Sequence, residues 1–328
     1  MNIAFAGFRH YHILGLYNAA VANPEVNLIA CFEENEDVRE DLRKSHNVDF
    51  NASSFEELLS NSNIDVIAIG DYYGRRGELA VKALSAGKHV IADKPICTSL
   101  EELDEIKRIS TEKGLKVGCM LDLRYLAQFN KAKELVENGV IGEVKTVSFT
   151  AQHHLNYGVR PMWYFEEGKH GGTINDIGIH GVDVIRYITG KNLTHVDYAK
   201  TWNSHAIEKT AFHDAGQFAV TLDGMSVMAD VSYAAPKFSG TLPTYWEFTF
   251  WGLDGMMRFN LETSDVAVYK TDKAVYKSEL AKTPDECYYD ILADFCLEVK
   301  GENTKLSTNE CLESQRQILE IQRVASQK

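Results

Sequence analysis

The sequence predicts an α/β amino-terminal domain built on a doubly wound parallel sheet, followed by an α+β domain with a large, mostly antiparallel open sheet. Three observations lead to this prediction. Apolar strands alternate with helical stretches over the first 120 residues, and short alternating segments bounded by turns follow. The chain of 328 residues is long enough for two separate cores. We therefore expect one domain at residues 1–121 and a second at residues 122–328.

The first elements have the order of a dinucleotide-binding unit. Residues 2–6 form a short apolar strand that ends at Gly7, and a helical stretch follows at residues 11–23. A second apolar strand at residues 26–32 ends on Glu33. Strand, glycine turn, helix, strand and acidic residue predict a βαβ unit that places a pyrophosphate at the helix amino terminus.

The glycine turn departs from the usual Gly-x-Gly-x-x-Gly/Ala pattern, because Arg9 and His12 occupy its second and third positions. Glu33 and Glu34 would accept hydrogen bonds from ribose hydroxyls and repel a 2′-phosphate. Arg9 would either reach that phosphate or pair with the pyrophosphate. Two acids facing one arginine favour NAD over NADP by at least about tenfold, roughly 1.4 kcal/mol.

Two further strands complete this half of the chain. Residues 64–69 are apolar, residues 70–74 are expected to form a turn, and residues 77–85 a helix with Gly87 at its end. Residues 88–92 form a strand that leads into Asp-Lys-Pro. Ligands of such sheets bind at the carboxyl ends of the strands. The residues expected to contact the cofactor are therefore Gly7, Phe8, Arg9, His10, Glu33, Gly70, Asp71, Tyr72, Asp93 and Lys94.

Lys94, Asp176 and His180 form a set suited to oxidising an alcohol or reducing a carbonyl. A lysine or an imidazole can take a hydroxyl proton while a carboxylate orients it. If Asp176 opens a helix, His180 lies on the same face four residues later. Taken singly, Asp176 reads equally well as a helix N-cap, and the other two as structural or solvated residues.

Several separated blocks resemble the Gfo/Idh/MocA family of nicotinamide-dependent oxidoreductases. They are residues 64–69, the Ala-Gly-Lys-His-Val-Ile-Ala-Asp-Lys-Pro run at 86–95, and residues 171–183, which are similar to the family's Gly-Gly-x-x-x-Asp-x-Gly-x-His-x-x-Asp signature. Residues 123–125 and 137–144 fit the family's domain junction. The likeness runs from residue 1 to about residue 190.

The resemblance implies a Rossmann-type first domain and roles for three residues. Lys94 would bind the substrate hydroxyl near the nicotinamide, Asp176 would be the active-site carboxylate and His180 the proton acceptor, all in one cleft between the domains. Asp183 also fits the signature, and we interpret it as helix-face structure rather than catalysis. Asp93 stands where the family commonly has Glu, and Arg76 where it often has His.

A second set of residues could contact a polyol, since imidazole, guanidinium and aromatic groups bind hydroxyls. These are Arg124, His153, Tyr157, Arg160, Trp163 and Asn175. Residues of a surface loop would look the same in sequence. The pairs His10 with His12 and Asp176 with His180 lack further ligands at zinc-like spacing, so no metal is expected.

The second half of the chain alternates between strand and turn patterns. We expect helices at residues 127–138, 285–300 and 308–327, strands at 144–152, 195–202, 215–222, 226–233, 245–251, 255–261 and 266–269, and hairpin turns at 223–224 and 254–255. The strands carry the aromatic residues Phe212, Phe218, Trp246, Phe248, Phe250 and Trp251. Either these rings are core, or they promote association into a homodimer or homotetramer, which the resemblance also implies.

Net charge, cysteine content and hydrophobicity limit the binding partners and the cellular compartment that we expect. A formal charge of −13 argues against nucleic acid and anionic membranes, although it permits an anionic small molecule. Six scattered cysteines without a Cys-x-x-Cys motif indicate free, buried thiols in a reducing compartment. The sequence has neither a signal-type start nor a run of 18 apolar residues, so we expect a cytoplasmic protein.

Together these patterns predict an oxidoreductase that transfers a hydride between NAD(H) and a sugar, a sugar acid or a cyclic polyol. One alternative is a glycosidase or lyase that borrows the hydride from bound NAD with no net redox change. Another is a sensor that binds NAD without catalysis, although such proteins tend to lack the Lys, Asp and His set. Net formation of NADH during turnover distinguishes the first alternative from a dehydrogenase.

Overall fold

The computed structural model describes residues 1–238, 242, 245–277 and 284–327. The chain forms two compact units. The first comprises Met1–Met120, Gly168–Gly171 and Thr283–Gln315. The second comprises Leu121–Glu167, Gly172–Lys282 and Arg316–Lys328.

The first unit contains a parallel sheet of five strands in the order β2-β1-β3-β4-β5. The strands are β1 (Asn2–Ala6), β2 (Asn27–Phe32), β3 (Val66–Ile69), β4 (His89–Ala92) and β5 (Val117–Cys119). The helices in this part of the chain are α1 (His12–Ala22), α2 (Glu36–Ser45), α3 (Phe55–Ser60), α4 (Tyr73–Ser85) and α5 (Leu100–Lys113). The prediction of a parallel sheet with alternating helices is confirmed, since continuous apolar runs are typical of strands covered on both faces.

One boundary in this unit was predicted wrongly. Helix α4 begins at Tyr73 and not at residue 77, so the expected turn at 70–74 is shorter. The Gly-rich sequence indicated a turn, whereas the side chains of Tyr73 and Arg76 are fully buried. Burial of these large side chains stabilises a first helical turn that local propensity disfavours.

The second unit contains an eight-stranded sheet in the order β13-β12-β11-β10-β6-β9-β8-β7. Its strands are β6 (Val144–Gln152), β7 (Leu193–Trp202), β8 (Ala215–Leu222), β9 (Met225–Ser232), β10 (Glu247–Gly252), β11 (Met256–Phe259), β12 (Asp265–Tyr269) and β13 (Lys273–Lys277). Strands β6 and β9 are parallel and the other neighbours are antiparallel, which confirms the mostly antiparallel sheet. Both expected hairpin turns are present, while β13 was not predicted because its sequence is short and rich in lysine.

Helices α6 (Ala127–Glu137) and α7 (Ile179–Thr189) cover one face of this sheet. The ring of Phe129 on α6 lies 5.4 Å from that of Phe248, and Gly181 on α7 lies directly against Phe149. The remaining helices are α8 (Pro284–Lys300) and α9 (Thr308–Ser326).

The aromatic residues of the sheet are mostly core. The buried rings are Phe212, Phe218, Trp246, Phe248 and Phe250, and Trp251 alone of the six is exposed. The suggestion that these rings need a partner chain to cover them is therefore wrong for five of the six. They belong to the layer between the sheet and its helices.

The six cysteines are free and buried, as predicted. Within the described ranges, no helix has both the length and the apolar character required to span a membrane.

Candidate functional site

The turn between β1 and α1 requires glycine at its first position. Gly7 has φ of +80°, and a Cβ added there would lie 2.7 Å from the backbone nitrogen and the Cβ of Asp71. The amide of His10 donates to the carbonyl of Gly70 at 3.2 Å, which ties the turn to the end of β3. Asp71 therefore closes this position to any side chain, and the turn lies against the end of β3 beside the amino terminus of α1, where dinucleotide phosphates commonly bind.

Glu33 at the end of β2 stabilises this turn through hydrogen bonds to backbone amides. Its carboxylate accepts the amide of Phe8 at 2.5 Å and that of Asn35 at 2.8 Å, and burial raises the pKa of Glu33. The Phe8 ring is buried against Phe50 at 5.2 Å, so its side chain is an anchor of the turn. Both carboxylate oxygens of the buried Glu33 therefore hold the turn, and its role toward a ribose stays a prediction.

Glu34 is exposed and pairs with Arg75 of α4. Its hydrogen bond to that guanidinium lowers the pKa of Glu34. A cavity of 360 Å³ lies beside the pair, and Arg39, Ser53 and Lys82 also line it. Sequence reasoning did not assign Arg39, Ser53 or Lys82 to the site, since they come from three different elements and share no motif.

Asp93, which follows β4, lies in a buried ion pair. Its Oδ2 accepts from Nη2 of Arg76 at 2.9 Å and is 2.5 Å from Nδ1 of His10. Burial alone would raise the pKa of Asp93, but the charge of Arg76 and the neighbouring rings hold it well below its usual range. Burial lowers the pKa of His10, which favours the neutral ring. In that form Nδ1 can donate to Asp93 while Nε2 accepts the Tyr73 hydroxyl, 3.1 Å away.

His10, His12 and Asp93 each present a ligand atom within 4.8 Å of the others. By distance alone these three could hold a metal ion. However, Arg76 already supplies a positive charge to Asp93 Oδ2, and a cation beside a buried guanidinium would be repelled. The donor set therefore fits an internal ion pair better than a metal centre.

The other expected cofactor residues of this unit lie at the ends of β3 and β4. The side-chain carboxylate of Asp71 accepts the amide of Tyr72 at 2.7 Å, and burial raises the pKa of Asp71. The guanidinium of Arg9 lies over the Tyr72 ring at 5.9 Å. Lys94 follows Asp93 directly, and its carbonyl accepts from Nη1 of Arg76 at 2.6 Å.

In the second unit, Asp176 lies in an unusual turn. Residues Ile174–Gly178 form a π-helix, and α7 begins only at Ile179. The expectation that Asp176 opens an α-helix is therefore wrong, and the α-helical spacing to His180 does not apply across the junction. Insertions of this kind are rare and often occur at functional sites.

The partner of Asp176 is the hydroxyl of Tyr233, which donates to Oδ2 of the carboxylate. Both side chains are buried. Burial, together with the charge of Asp176, raises the pKa of Tyr233. Tyr233 follows β9 and was not predicted, because a tyrosine at a strand end is ordinary in sequence.

Asp122 is the carboxylate closest to the ring of His180, and it was also missed. Oδ1 of Asp122 lies 3.3 Å from Nδ1 of His180, an ionic contact without hydrogen-bond geometry. The imidazole is buried, with its ring 5.4 Å from that of Trp246. A carboxylate beside Nδ1 favours the tautomer with a proton there, and leaves Nε2 as the proton acceptor. The only sequence signal was the position of Asp122 directly before the junction block at 123–125.

Arg124 and Asp183 form a buried bidentate pair. Nε and Nη2 of Arg124 donate to the two carboxylate oxygens at 2.8 Å and 2.7 Å. This agrees with the interpretation of Asp183 as helix-face structure. It also gives Arg124 an internal partner that accounts for its presence without a substrate.

The remaining residues expected to contact the substrate differ in how exposed their side chains are. His153 is partly exposed and Tyr157 is exposed. Arg160 donates to the carbonyls of His154 and Leu155. Trp163 is buried, and Asn175 is buried with its amide donating to Gln322 at 3.2 Å. His153 and Tyr157 are therefore accessible from outside the unit, whereas Trp163 and Asn175 lie inside it.

Comparison with known proteins gives matches over both units. Residues 1–120 match the model described as oxidoreductase family, NAD-binding Rossmann fold, and residues 129–258 match the GFO/IDH/MocA C-terminal domain. The uncharacterized oxidoreductase YrbE of Bacillus subtilis is 31% identical over 160 residues, which are 48% of this chain and 44% of that protein. The myo-inositol 2-dehydrogenase of Thermotoga maritima is 27% identical over 164 residues, 49% of this chain and 48% of that protein. These matches span less than half the length of the curated relatives.

Solved structures resemble the whole chain. A proposed oxidoreductase from Erwinia carotovora atroseptica has a TM-score of 0.85 with 24% identity, over 99% of both chains. An oxidoreductase from Agrobacterium radiobacter, in complex with NAD⁺, L-tartaric acid and magnesium, has a TM-score of 0.81 with 17% identity, over 100% of this chain and 96% of that chain. At these identities the likeness concerns the fold. The two family models match one after the other along the sequence, and the structure has a five-stranded sheet in the first unit and an eight-stranded sheet in the second. The chain therefore belongs to the Gfo/Idh/MocA family of oxidoreductases and carries its NAD-binding Rossmann domain.

Proposed function

We propose that this protein is an NAD-dependent dehydrogenase or reductase that acts on the CH–OH group of a sugar, a sugar acid or a cyclic polyol. The observation that carries the proposal is the buried imidazole of His180, whose Nδ1 lies 3.3 Å from Oδ1 of Asp122. With its proton on Nδ1 this ring would accept a hydroxyl proton at Nε2, and a positioned imidazole together with an NAD-binding domain suits the oxidation of an alcohol.

In the oxidative direction, His180 takes the hydroxyl proton at Nε2 while Asp122 holds the ring. Lys94 binds and polarises the same hydroxyl oxygen through its ammonium group. Asp176, fixed by Tyr233, orients the substrate through its remaining lone pairs. When bound, the nicotinamide supplies the hydride acceptor, and the protein supplies the geometry.

The substrate class is supported by relatives of this chain. The Thermotoga maritima protein is named myo-inositol 2-dehydrogenase, and a Paenarthrobacter nicotinovorans relative, 26% identical over 156 residues, is named D-xylose dehydrogenase. His153 and Tyr157 would contact substrate hydroxyls, with Arg160, Trp163 and Asn175 supporting them.

We infer that NAD is preferred over NADP by at least about tenfold, roughly 1.4 kcal/mol. Glu34 holds Arg75 in an ion pair, so this guanidinium is not offered to a 2′-phosphate. Replacement of Glu34 by Ala should narrow the preference, whereas Glu33→Ala should weaken both cofactors because Glu33 anchors the glycine turn. Calorimetric titration with each cofactor measures this, and equal or tighter binding of NADP to the wild type would overturn it.

A screen of sugars, sugar acids and inositols with NAD, followed by NADH absorbance, tests the function directly. Net NADH with one class of polyol is the expected result. Product formation without net NADH would identify a hydride-borrowing glycosidase or lyase. Binding of NAD without turnover of any compound would favour a sensor.

A further inference from the structure

Arg76 in the first unit is a fully buried arginine that the proposed chemistry does not use. It comes from the first turn of α4 and donates to groups on two strand ends. Nε donates to the carbonyl of Asp71 at 2.7 Å, which lies after β3. The other nitrogens donate to the carbonyls of Lys94 and Pro95 at 2.6 Å and 3.2 Å, and to Asp93 Oδ2 at 2.9 Å, all after β4.

These bonds surround Lys94 on both sides. Before Lys94, the carboxylate of Asp93 accepts from Nη2 of Arg76. The carbonyls of Lys94 and Pro95 both accept from Nη1. A rotation of the backbone at Lys94 would leave buried carbonyls or a buried charge without their partner, which costs about 1–3 kcal/mol for each group. The backbone direction at Lys94 is therefore fixed by one side chain from another element.

The charges in the cluster also favour this arrangement. Arg76 and Asp93 neutralise each other, while His10 lies between Asp93 and Tyr73 and contacts both. The guanidinium also lies 4.6 Å from the centroid of the Tyr73 ring. A buried ion pair is expensive in solvation, and in some proteins such a pair specifies a geometry.

We propose that Arg76 is a positioning residue for Lys94, whose guanidinium fixes the direction in which the lysine side chain leaves the end of β4. This rests on the proposed function, in which the ammonium group of Lys94 meets the substrate hydroxyl. An arginine is needed because its planar group carries five donors in a fixed geometry, whereas a lysine at this position would carry the charge without that geometry.

Replacement of Arg76 by Lys tests the proposal. Turnover should fall by about 10- to 100-fold, the scale for a small misplacement of a reacting group, while the Kd for NADH stays within about twofold of wild type. The matched control is Arg186→Lys, since Arg186 is also buried and donates to Asn192 at 2.9 Å. This control should lose stability without losing kcat. Wild-type kcat in folded Arg76→Lys, or equal losses in the control, would overturn the proposal.

A second variant separates positioning from stability. In Arg76→Lys/Asp93→Glu the longer acid can meet the shorter base, so the ion pair and the melting temperature should recover relative to Arg76→Lys. The lysine still cannot hold the carbonyls of Lys94 and Pro95, so kcat should stay low. Recovery of kcat in step with stability would show a purely structural role and contradict the proposal.

Hydrogen exchange makes failure of this inference distinguishable from failure of the proposed function. If the wild type turns over none of the screened substrates, the dehydrogenase proposal fails, but the restraint on Lys94 can still be measured. The amides of residues 93, 94, 96 and 97 should exchange faster in Arg76→Lys/Asp93→Glu than in the wild type. Unchanged exchange in this segment would overturn the restraint itself.

Discussion

At the scale of single residues, the candidate reacting groups are buried side chains with a polar side chain beside them. Asp176 accepts a hydrogen bond from Tyr233, and the ring of His180 lies beside the carboxylate of Asp122, each partner coming from a distant part of the sequence. A buried polar side chain is costly unless such a partner is present. The partner therefore decides which atom of each group is left for chemistry.

Lys94→Ala should lower turnover by about two to four orders of magnitude, the usual effect of losing a positioned proton-transfer group. The fold should be intact, because the bond from Arg76 goes to the Lys94 carbonyl, which alanine retains. Steady-state kinetics on the substrate found in the screen, with circular dichroism as the folding check, measures this. Wild-type rates in the variant would exclude Lys94 from the reaction.

Asp122→Asn should lower kcat at least about tenfold, because an amide beside Nδ1 no longer selects the productive tautomer of His180. Asp197→Asn provides the control, since Asp197 lies 3.8 Å from the ring of His195 on the exposed part of β7. The control should keep wild-type kcat. If both variants behave alike, proximity of a carboxylate to His180 has no role in turnover.

The lowered pKa of Asp93 should make the stability of the folded protein depend on pH. Its pKa is held below its ordinary value of 3.8, so the ionised carboxylate stabilises the folded state above that pH. This contribution is lost as pH falls from 3.8 through the lower folded-state pKa. The difference in unfolding free energy between wild type and Asp93→Asn should therefore narrow as pH falls from about 5 to about 3, by at most about 1.4 kcal/mol per pH unit.

Urea unfolding at several pH values measures that difference. Asp93 also raises the pKa of folded His10, so the difference between wild type and Asp93→Asn reports the two coupled groups together. A difference that stays constant down to about pH 3 would contradict the assigned shift of Asp93.

At the scale of elements, hydrophobic pattern predicted the strands well, because a buried strand needs a continuous or alternating apolar run. The strands β1 and β6 and the hairpin at Asp223 agree with the expected positions. The start of α4 and the π-helix before α7 were not predicted. The start of α4 and the π-helix both depend on packing against other elements of the same unit. A π-helix also has no sequence periodicity of its own.

The candidate site was predictable only in part for the same reason. Lys94, Asp176 and His180 were recognisable from motifs, whereas the ion pairs of Arg76 with Asp93 and of Arg124 with Asp183 join separate elements. Pairings between residues 17 and 59 positions apart leave no local pattern. Sequence could name the candidate reacting groups, but the residues that orient them required the folded structure.

The glycine turn after β1 can be tested as an element. Gly7→Ala should weaken NADH binding at least about tenfold, because the new Cβ would lie 2.7 Å from the Asp71 backbone. Gly87→Ala is a matched control, since Gly87 has φ of +82° but nothing within 4 Å of an added Cβ. Both variants carry the strain of a positive φ, about 1–3 kcal/mol. Titration with NADH should detect a loss only in Gly7→Ala, and similar affinity in both would remove the turn from the cofactor site.

At the scale of the whole molecule, the exposed face of the eight-stranded sheet is the feature that bears on assembly. Strand register places Tyr198, Ala219, Met228, Ser148, Thr249, Arg258, Ala267 and Val275 in one row across all eight strands. Trp251 lies on the same face, two residues from Thr249. Met228 is 63% exposed and Trp251 51%, so large apolar side chains remain on this face after the helices cover the other.

We expect this face to join two or more copies of the chain, because exposed apolar groups on an open sheet are typical of association surfaces. Met228→Lys combined with Trp251→Lys should convert the wild-type oligomer into monomers, since charges would then be buried in the interface. Ile207→Lys replaces a side chain of similar exposure, 69%, outside the strands and should leave the mass unchanged. Light scattering after size-exclusion chromatography gives the masses. A monomeric wild type at micromolar concentration, or an oligomer that survives both lysines, would place association elsewhere or exclude it.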